Sequence, residues 1–202
     1  MKRSLVCTIL AVLIMAPALA SDDHAADTVE HYVIDTRGAH AFVQFRISHL
    51  GFSWLYGRFN EFSGDFSFDP VSPENSSVEV TIQTASIDSN HERRDKHLRD
   101  PDFLAVEDFP EAHFQSTRFE PLGDDRYRMT GRFTLLGVTR MLEFEVEQVG
   151  AGLDPWGGFR RGFEGRTRFA LADFGIDYDL GEEARTIEII LSVEGIRQDG
   201  DA

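Results

Sequence analysis

Leu142-Glu143-Phe144-Glu145-Val146-Glu147 alternates apolar and acidic side chains without a break, and that rhythm decides the fold. A strand points successive side chains to opposite faces, so this stretch has one face to bury and one to leave in water. The same period recurs on both sides of it. Tyr127, Met129, Phe133 and Leu135 alternate with Arg128, Thr130, Arg132 and Thr134, while Phe163, Thr167 and Phe169 alternate with Glu164, Arg166 and Arg168. Val43, Phe45, Ile47 and His49 oppose Phe42, Gln44, Arg46 and Ser48, and Val78, Val80 and Ile82 oppose Glu79, Thr81 and Gln83. Late in the chain, Ile187, Ile189, Leu191 and Val193 oppose Glu188, Ile190, Ser192 and Glu194.

Phe62 to Phe68 and Ala112 to Phe119 bring the number of strands to about eight. Turn residues separate them at Asp69-Pro70 to Asn75, Gly123-Asp124-Asp125, Gly137 and Gly150 to Gly158. The chain reads as all-β. Eight antiparallel strands with one consistently apolar face close most economically into a barrel, which also removes exposed edges. A two-sheet sandwich of the immunoglobulin type is the second choice. One segment breaks the alternation. From Asn90 to Pro110 the charges fall at helical spacing, Glu92 with Lys96 and Asp95 with Arg99. Asp88, Ser89 or Asn90 would cap such a helix and Pro101 would end it. The expectation is a short helical insertion packed over one end of the barrel, with Asp102-Phe103-Leu104 as a further turn.

Residues 1–20 read as a cleaved signal peptide. Lys2 and Arg3 precede the uncharged run Leu5 to Met15, and Ala18-Leu19-Ala20 places the cut between Ala20 and Ser21. The run is too short for the roughly 20 residues that span a bilayer, so the chain is not expected to be membrane-spanning. Residues 21–30 read as a flexible lead-in and 31–198 as one β-barrel domain. The single cysteine, Cys7, falls in the segment to be removed, leaving neither disulfide nor thiolate ligand. What remains has 18 basic residues against 35 acidic ones, a formal charge of −17. Such a chain is repelled by phosphate backbones, and no nucleic-acid partner is expected.

A search for catalytic constellations fails: there is no G-x-S-x-G, no phosphate-cradling glycine loop and no H-E-x-x-H. His91 and His97 flank Asp95, but residues six apart do not share a helical face, and a solvated charged helix is the plainer reading. Neither catalytic residues, a metal nor a cofactor are expected. His49 has two readings, a core histidine bonded to backbone or a polar group at the mouth of a cavity. The cluster Arg160, Arg161, Arg166 and Arg168 reads as ion-paired with acidic neighbours, the last two on the wet face. The 17 Phe against 4 Tyr and 2 Trp describe a large interior with few polar handles. An eight-stranded barrel is either just filled by side chains or holds one small ligand. Phe-rich walls suit a chain-like hydrocarbon, and a packed core would have the same composition.

Gly38-Ala39-His40-Ala41-Phe42-Val43, Ser48-His49-Leu50-Gly51 and Ser53-Trp54-Leu55-Tyr56-Gly57 resemble the opening of YceI-like proteins. The likeness continues through Asn90-His91, Arg94-Asp95-Lys96-His97-Leu98-Arg99 and Asp102-Phe103-Leu104. It returns at Gly137-Val138-Thr139, Asp154-Pro155-Trp156-Gly157-Gly158 with Gly162-Phe163, and Ser192-Val193-Glu194-Gly195. The motifs span about residues 31–198 in order. The resemblance implies a lipocalin-like eight-stranded antiparallel barrel in the periplasm, its hydrophobic pore binding a long-chain isoprenoid or related amphiphilic lipid for sequestration or transport. It brings no catalytic residues. Val43, Phe45, Ile47, His49, Phe66, Val80, Ile82, Phe133, Phe144, Phe163 and Ile189 are the pore-lining candidates. Leu136 and Met141 depart from the family pattern beside one hairpin. Two other readings stand beside lipid binding: a stress-related envelope protein with a filled barrel, and, last, an enzyme using His49, His91, His97 or carboxylates. Trp54, Tyr56 and Trp156, read as loop aromatics, would serve a homodimer.

Overall fold

The computed structural model describes residues 29–198. The signal segment, its Ala20–Ser21 cut and nearly all of the lead-in lie outside the described residues. Eleven strand segments make one antiparallel sheet: β1 (Glu30–Ile34), β2 (Phe42–His49), β3 (Ser53–Phe59), β4 (Phe62–Phe68), β5 (Ser77–Gln83), β6 (Ile87–Asp88), β7 (Glu111–Gly123), β8 (Arg126–Leu135), β9 (Val138–Leu153), β10 (Phe159–Ala170) and β11 (Thr186–Gln198). Their register reduces eleven to eight. β11 pairs with β2 through Ile187–Ser192 and with β1 through Gly195–Gln198, so β1 and β2 are one strand interrupted at 35–41. β4 pairs with β1 and β3 with β2, making a second strand broken at Asn60-Glu61. β5 pairs with β4 and β6 with β3, making a third broken at the turn Thr84–Ser86. β7 to β11 complete the ring, and it is a closed eight-stranded antiparallel barrel.

The breaks are held to one another. Asn60 N–H donates to the Ser86 carbonyl (3.1 Å) and Gln83 N–H to the Glu61 carbonyl (3.0 Å). Asp35 N–H donates to the Glu194 carbonyl (2.8 Å), tying the first break to β11. Three neighbouring strands thus bend together, as a sheet must if it is to wrap a lumen. Inside and outside then follow the alternation. In β10, Arg161, Phe163, Gly165, Thr167 and Phe169 are buried, while Glu164, Arg166 and Arg168 are exposed. β3 was not foreseen as a strand. Trp54 and Tyr56 lie on its outer face rather than in a loop, while Leu55 and Phe59 turn inward to the core.

Helix α1 (Glu92–Arg99) lies in the expected insertion, with three corrections. Its cap is His91, whose Nδ1 accepts from Arg94 N–H (3.2 Å). Asp95 does not pair with Arg99. It is buried and accepts from the Ser89 backbone N–H (2.8 Å) and hydroxyl, while Arg99 donates to the carbonyls of Ala85 and Ile87 (2.7 Å each). Among the described residues no ion pair joins Lys96 to Glu92. The helix is stapled to the third strand's break by backbone groups that its charged ends satisfy.

One end of the barrel is sealed. Phe66 stacks on Tyr32 (4.7 Å between centroids), and Phe68 meets Phe119, Tyr127 and Phe163 edge-on or tilted within 6.4 Å. Below this layer the buried Arg161 sits 4.3 Å from the Phe68 ring. It donates to the Tyr32 hydroxyl (3.1 Å), to Glu30 (2.7 Å) and to Gln148. Burial pushes the Glu30 carboxyl up, but bonds from Tyr32 and Arg161 outweigh it and hold the group low. On the outside of the same end, Arg160 bridges Asp35 (2.7 Å), Asp154 (2.6 Å) and Glu194, locking the first break to β10 and β11. The Arg160 guanidinium, with the Gly38 amide, holds Asp35 at about 2 against an ordinary 3.8.

Two outcomes follow. Arg161→Met strips Glu30 of a buried partner and should cost about 3 kcal/mol, or roughly 6–12 °C in Tm; Arg126→Met, in an exposed pair with Asp124, should cost less than about 1 kcal/mol. For Asp35, a carboxyl lowered by folding adds stability above its unfolded value and loses it as pH falls toward the folded one. Urea titrations of Asp35→Asn should therefore show a deficit of about 1–2 kcal/mol near neutrality, shrinking to nothing between pH 4 and about 2. A deficit constant across that range would place the effect elsewhere.

Candidate functional site

The inward faces do not meet at the barrel axis. They enclose a cavity of about 570 Å³, within the roughly 300–1,000 Å³ of small-molecule sites. All eleven residues picked from the alternation stand on its wall. β2 supplies Val43, Phe45, Ile47 and, at the rim, His49; β4 supplies Phe66 and β5 Val80 and Ile82. Phe133, Phe144, Phe163 and Ile189 come from β8, β9, β10 and β11. His49 is exposed, which places it at the mouth and not in the core.

The cavity is blind. Phe66, Phe68, Phe119 and Phe163 line it at the sealed end, and neither Tyr32 nor Arg161 reaches it. The opposite end is covered in part by α1 and the 171–184 segment, neither of which alternates. Arg94, His97 and Leu98 come from the helix, Phe103 and Leu104 from the turn after it, and Ile176, Tyr178 and Leu180 from the later segment. His97, Phe103 and Tyr178 pack ring against ring, 4.8–5.2 Å between centroids, and His97 Nε2 lies 3.3 Å from Asp102. Sequence reasoning missed these. Phe114 and Leu142 also line the wall, and their register beside named residues would have found them.

The wall is mostly apolar. Ser48, His49, Arg94, His97 and Tyr178 collect at the mouth, while Ser67, Ser76 and Ser77 border the cavity beside the Phe66 and Phe68 floor and Glu164 borders it next to Phe163. Histidines 91 and 97 do not converge on Asp95: His91 caps the helix, His97 turns to Asp102, and Asp95 to Ser89. The carboxylates held below their ordinary range lie off the wall. Arg160 lowers Asp154 and Asp35, the Asn90 amide lowers Asp88, and Arg46 and Arg168 hold Glu188 low against the opposing push of burial. Asp35, His40 and Glu194 bring ligand atoms within 4.8 Å of one another, and the Arg160 guanidinium already bridges the two carboxylates. The outer arginines are ion-paired as expected, Arg166 and Arg168 both with Glu188.

Outward positions of the strands, such as Glu143, Glu145, Glu147 and Arg128, are charged and exposed, so the barrel has no apolar belt there for a bilayer. Among the described residues no helix is long and apolar enough to cross a membrane. Trp54 and Tyr56 on β3 and Trp156 in the β9–β10 turn are exposed, but they sit toward opposite ends of the barrel and form no single patch.

A family model described as the YceI-like domain matches residues 32–195. A UPF0312 protein of Azotobacter vinelandii is 51% identical over 191 residues, covering 94% of this chain and 97% of its own. A crystal structure of a Campylobacter jejuni YceI protein matches with a TM-score of 0.66 at 27% identity, over 76% of this chain and 91% of that one. A polyisoprenoid binding domain from Saccharophagus degradans shares the fold, with a TM-score of 0.61 at 14% identity over 83% of this chain and 98% of that one. With the match spanning nearly the whole barrel, this chain belongs to the YceI-like family.

Proposed function

We propose that this protein holds one long-chain isoprenoid, or a related long-chain amphiphile, tail-first in its barrel, as a non-catalytic carrier or store in the periplasm. The observation that carries the reading is the deep cavity, its wall predominantly apolar from the aromatic floor up to the His49, His97 and Tyr178 mouth. Burial of each methylene contributes about 0.8 kcal/mol, so a long tail binds usefully without a specific polar contact. The sealed end receives the tail, and Ser48, His49 and Tyr178 are placed to meet a polar head. The likeness to a polyisoprenoid binding domain agrees with this, and the positively charged and apolar opening of the sequence supports export. A filled barrel acting through its surface fits less well, because the interior is hollow. The catalytic reading lacks a cluster of shifted groups on the wall.

The test is native mass spectrometry of the protein secreted to a bacterial periplasm, with organic extraction of what it carries. A co-purifying species of isoprenoid or long-acyl mass is expected. Ile189→Glu puts a carboxylate at mid-wall, where the open cavity can hydrate it; it should remove that species while Ile189→Leu keeps it. A clean apo mass that stays clean on adding a prenyl quinone sinks the proposal.

A further inference from the structure

Resting on the lipid-binding reading, we propose that Gly57 sets the bore of the cavity by giving the Phe45 ring a recess in the wall, which fits the cavity to a methyl-branched chain rather than a straight one. Phe45 and Gly57 face each other across β2 and β3. A Cβ on Gly57 would stand 2.2, 2.7 and 2.9 Å from Cζ, Cε1 and Cε2 of Phe45, so the ring occupies the space in which any other residue would place its side chain. Two other inward glycines take ring tips as well, Gly131 under Phe114 and Gly195 under Phe66. There the fold itself demands glycine. A Cβ at Gly131 would come 2.6 Å from the Gln115 carbonyl, and one at Gly195 would come 2.9 Å from Tyr32 Cβ.

Gly57 is different. The three nearest atoms all belong to the Phe45 ring, and its φ lies outside the left-handed region. Its φ does not call for glycine and the nearest obstruction is a side-chain ring, while a glycine inside a strand costs stability. What it provides is room for the ring. Phe45 stands on the wall between His49 at the rim and Phe66 at the floor, so a tail passing to the floor must clear it. A ring displaced from the recess has Phe59 on one side, 6.0 Å away, and the lumen on the other. A prenyl chain carries a methyl on every fourth backbone carbon and is broader than a polymethylene chain, so it is the first to be refused when the bore narrows.

The experiment compares geranylgeraniol with hexadecanol, the straight-chain alcohol of equal backbone length, by competition in native mass spectrometry. Gly57→Ala should weaken geranylgeraniol about tenfold or more, the usual worth of a methyl-sized misfit in an apolar pocket. Hexadecanol should change less than about twofold. Gly57→Ala with Phe45→Leu should restore the branched ligand, and Phe45→Leu alone should raise the branched-to-straight ratio. That last variant keeps the test open if the alanine destabilises the fold. A ratio unmoved by Gly57→Ala, or not restored by the double change, overturns the inference while leaving lipid binding intact. Uptake of neither alcohol by the unaltered protein overturns the lipid reading itself.

Discussion

The edge of β11 is the constraint on which the rest of the structure depends. One strand must bond β2 along its first half and β1 along its second, and only then do eight strands close into a ring. The ring closes through β1, β4, β5 and β7 to β11, with β2, β3 and β6 continuing the sheet toward the mouth, and this pairing fixes which alternate positions face the lumen. It also forces residues 35–41 to step out of the sheet, and that step is held by charge. Arg160 gathers Asp35, Asp154 and Glu194 from three parts of the chain around one guanidinium. The ion pairs at this end therefore do not decorate a finished barrel; they hold its seam.

A hollow interior is costly, and the protein does not avoid that cost by filling the space. Mutational cavities in cores cost about 24 cal/mol per Å³, so a dry void of this volume would be worth on the order of 10 kcal/mol, comparable with the stability of an entire domain. The aromatic residues that could have filled it are drawn back to the wall or the floor. Phe45 lies in the Gly57 recess, Phe114 leans on Gly131 and packs against Phe144 at 5.1 Å, and Phe66 stacks on Tyr32 over Gly195. In the proposed function a bound tail would restore the missing contacts and make ligand and barrel wall parts of one core.

Alternation in the sequence was enough to identify the long strands, their inward faces and the wall residues from Val43 to Ile189. It failed where the chain satisfies something other than a pleat. β3 was hidden because Trp54 and Tyr56, large and apolar in part, sit outside over Arg46 and solvent, so both faces of the segment look alike. The breaks near Asp35, Asn60 and Thr84 are set by pairings between distant segments, which no local pattern announces. Arg161, read from the sequence only as ion-paired with an acidic neighbour, does pair with Glu30, but its register also turns it inward onto Phe68. The Asp95–Arg99 pair gave way to backbone groups that these two side chains satisfy instead, the Ser89 amide and the Ala85 carbonyl. Hollow against filled was illegible in principle: it depends on where phenyl rings point, and composition is the same for both.

In the proposed function the blind geometry would also decide how a ligand leaves. Drawing a tail out into water exposes each methylene at about 0.8 kcal/mol, so release to solvent is slower with every carbon buried. Release onto another apolar surface escapes most of that cost, provided that the path from wall to surface is never wet. At the mouth, Leu50 both lines the cavity and is 59% exposed, and Phe52 beside it is 87% exposed. Leu50 also holds a left-handed φ of 55°, a conformation that disfavours branched side chains and is usually left to glycine, asparagine or aspartate. The equivalent positions in the turn between β7 and β8, near the sealed end, carry Asp124 and Asp125. An apolar residue held in strain at the open end, against acids at the closed end, makes the apolar wall continuous with the surface where a tail would cross in the proposed function.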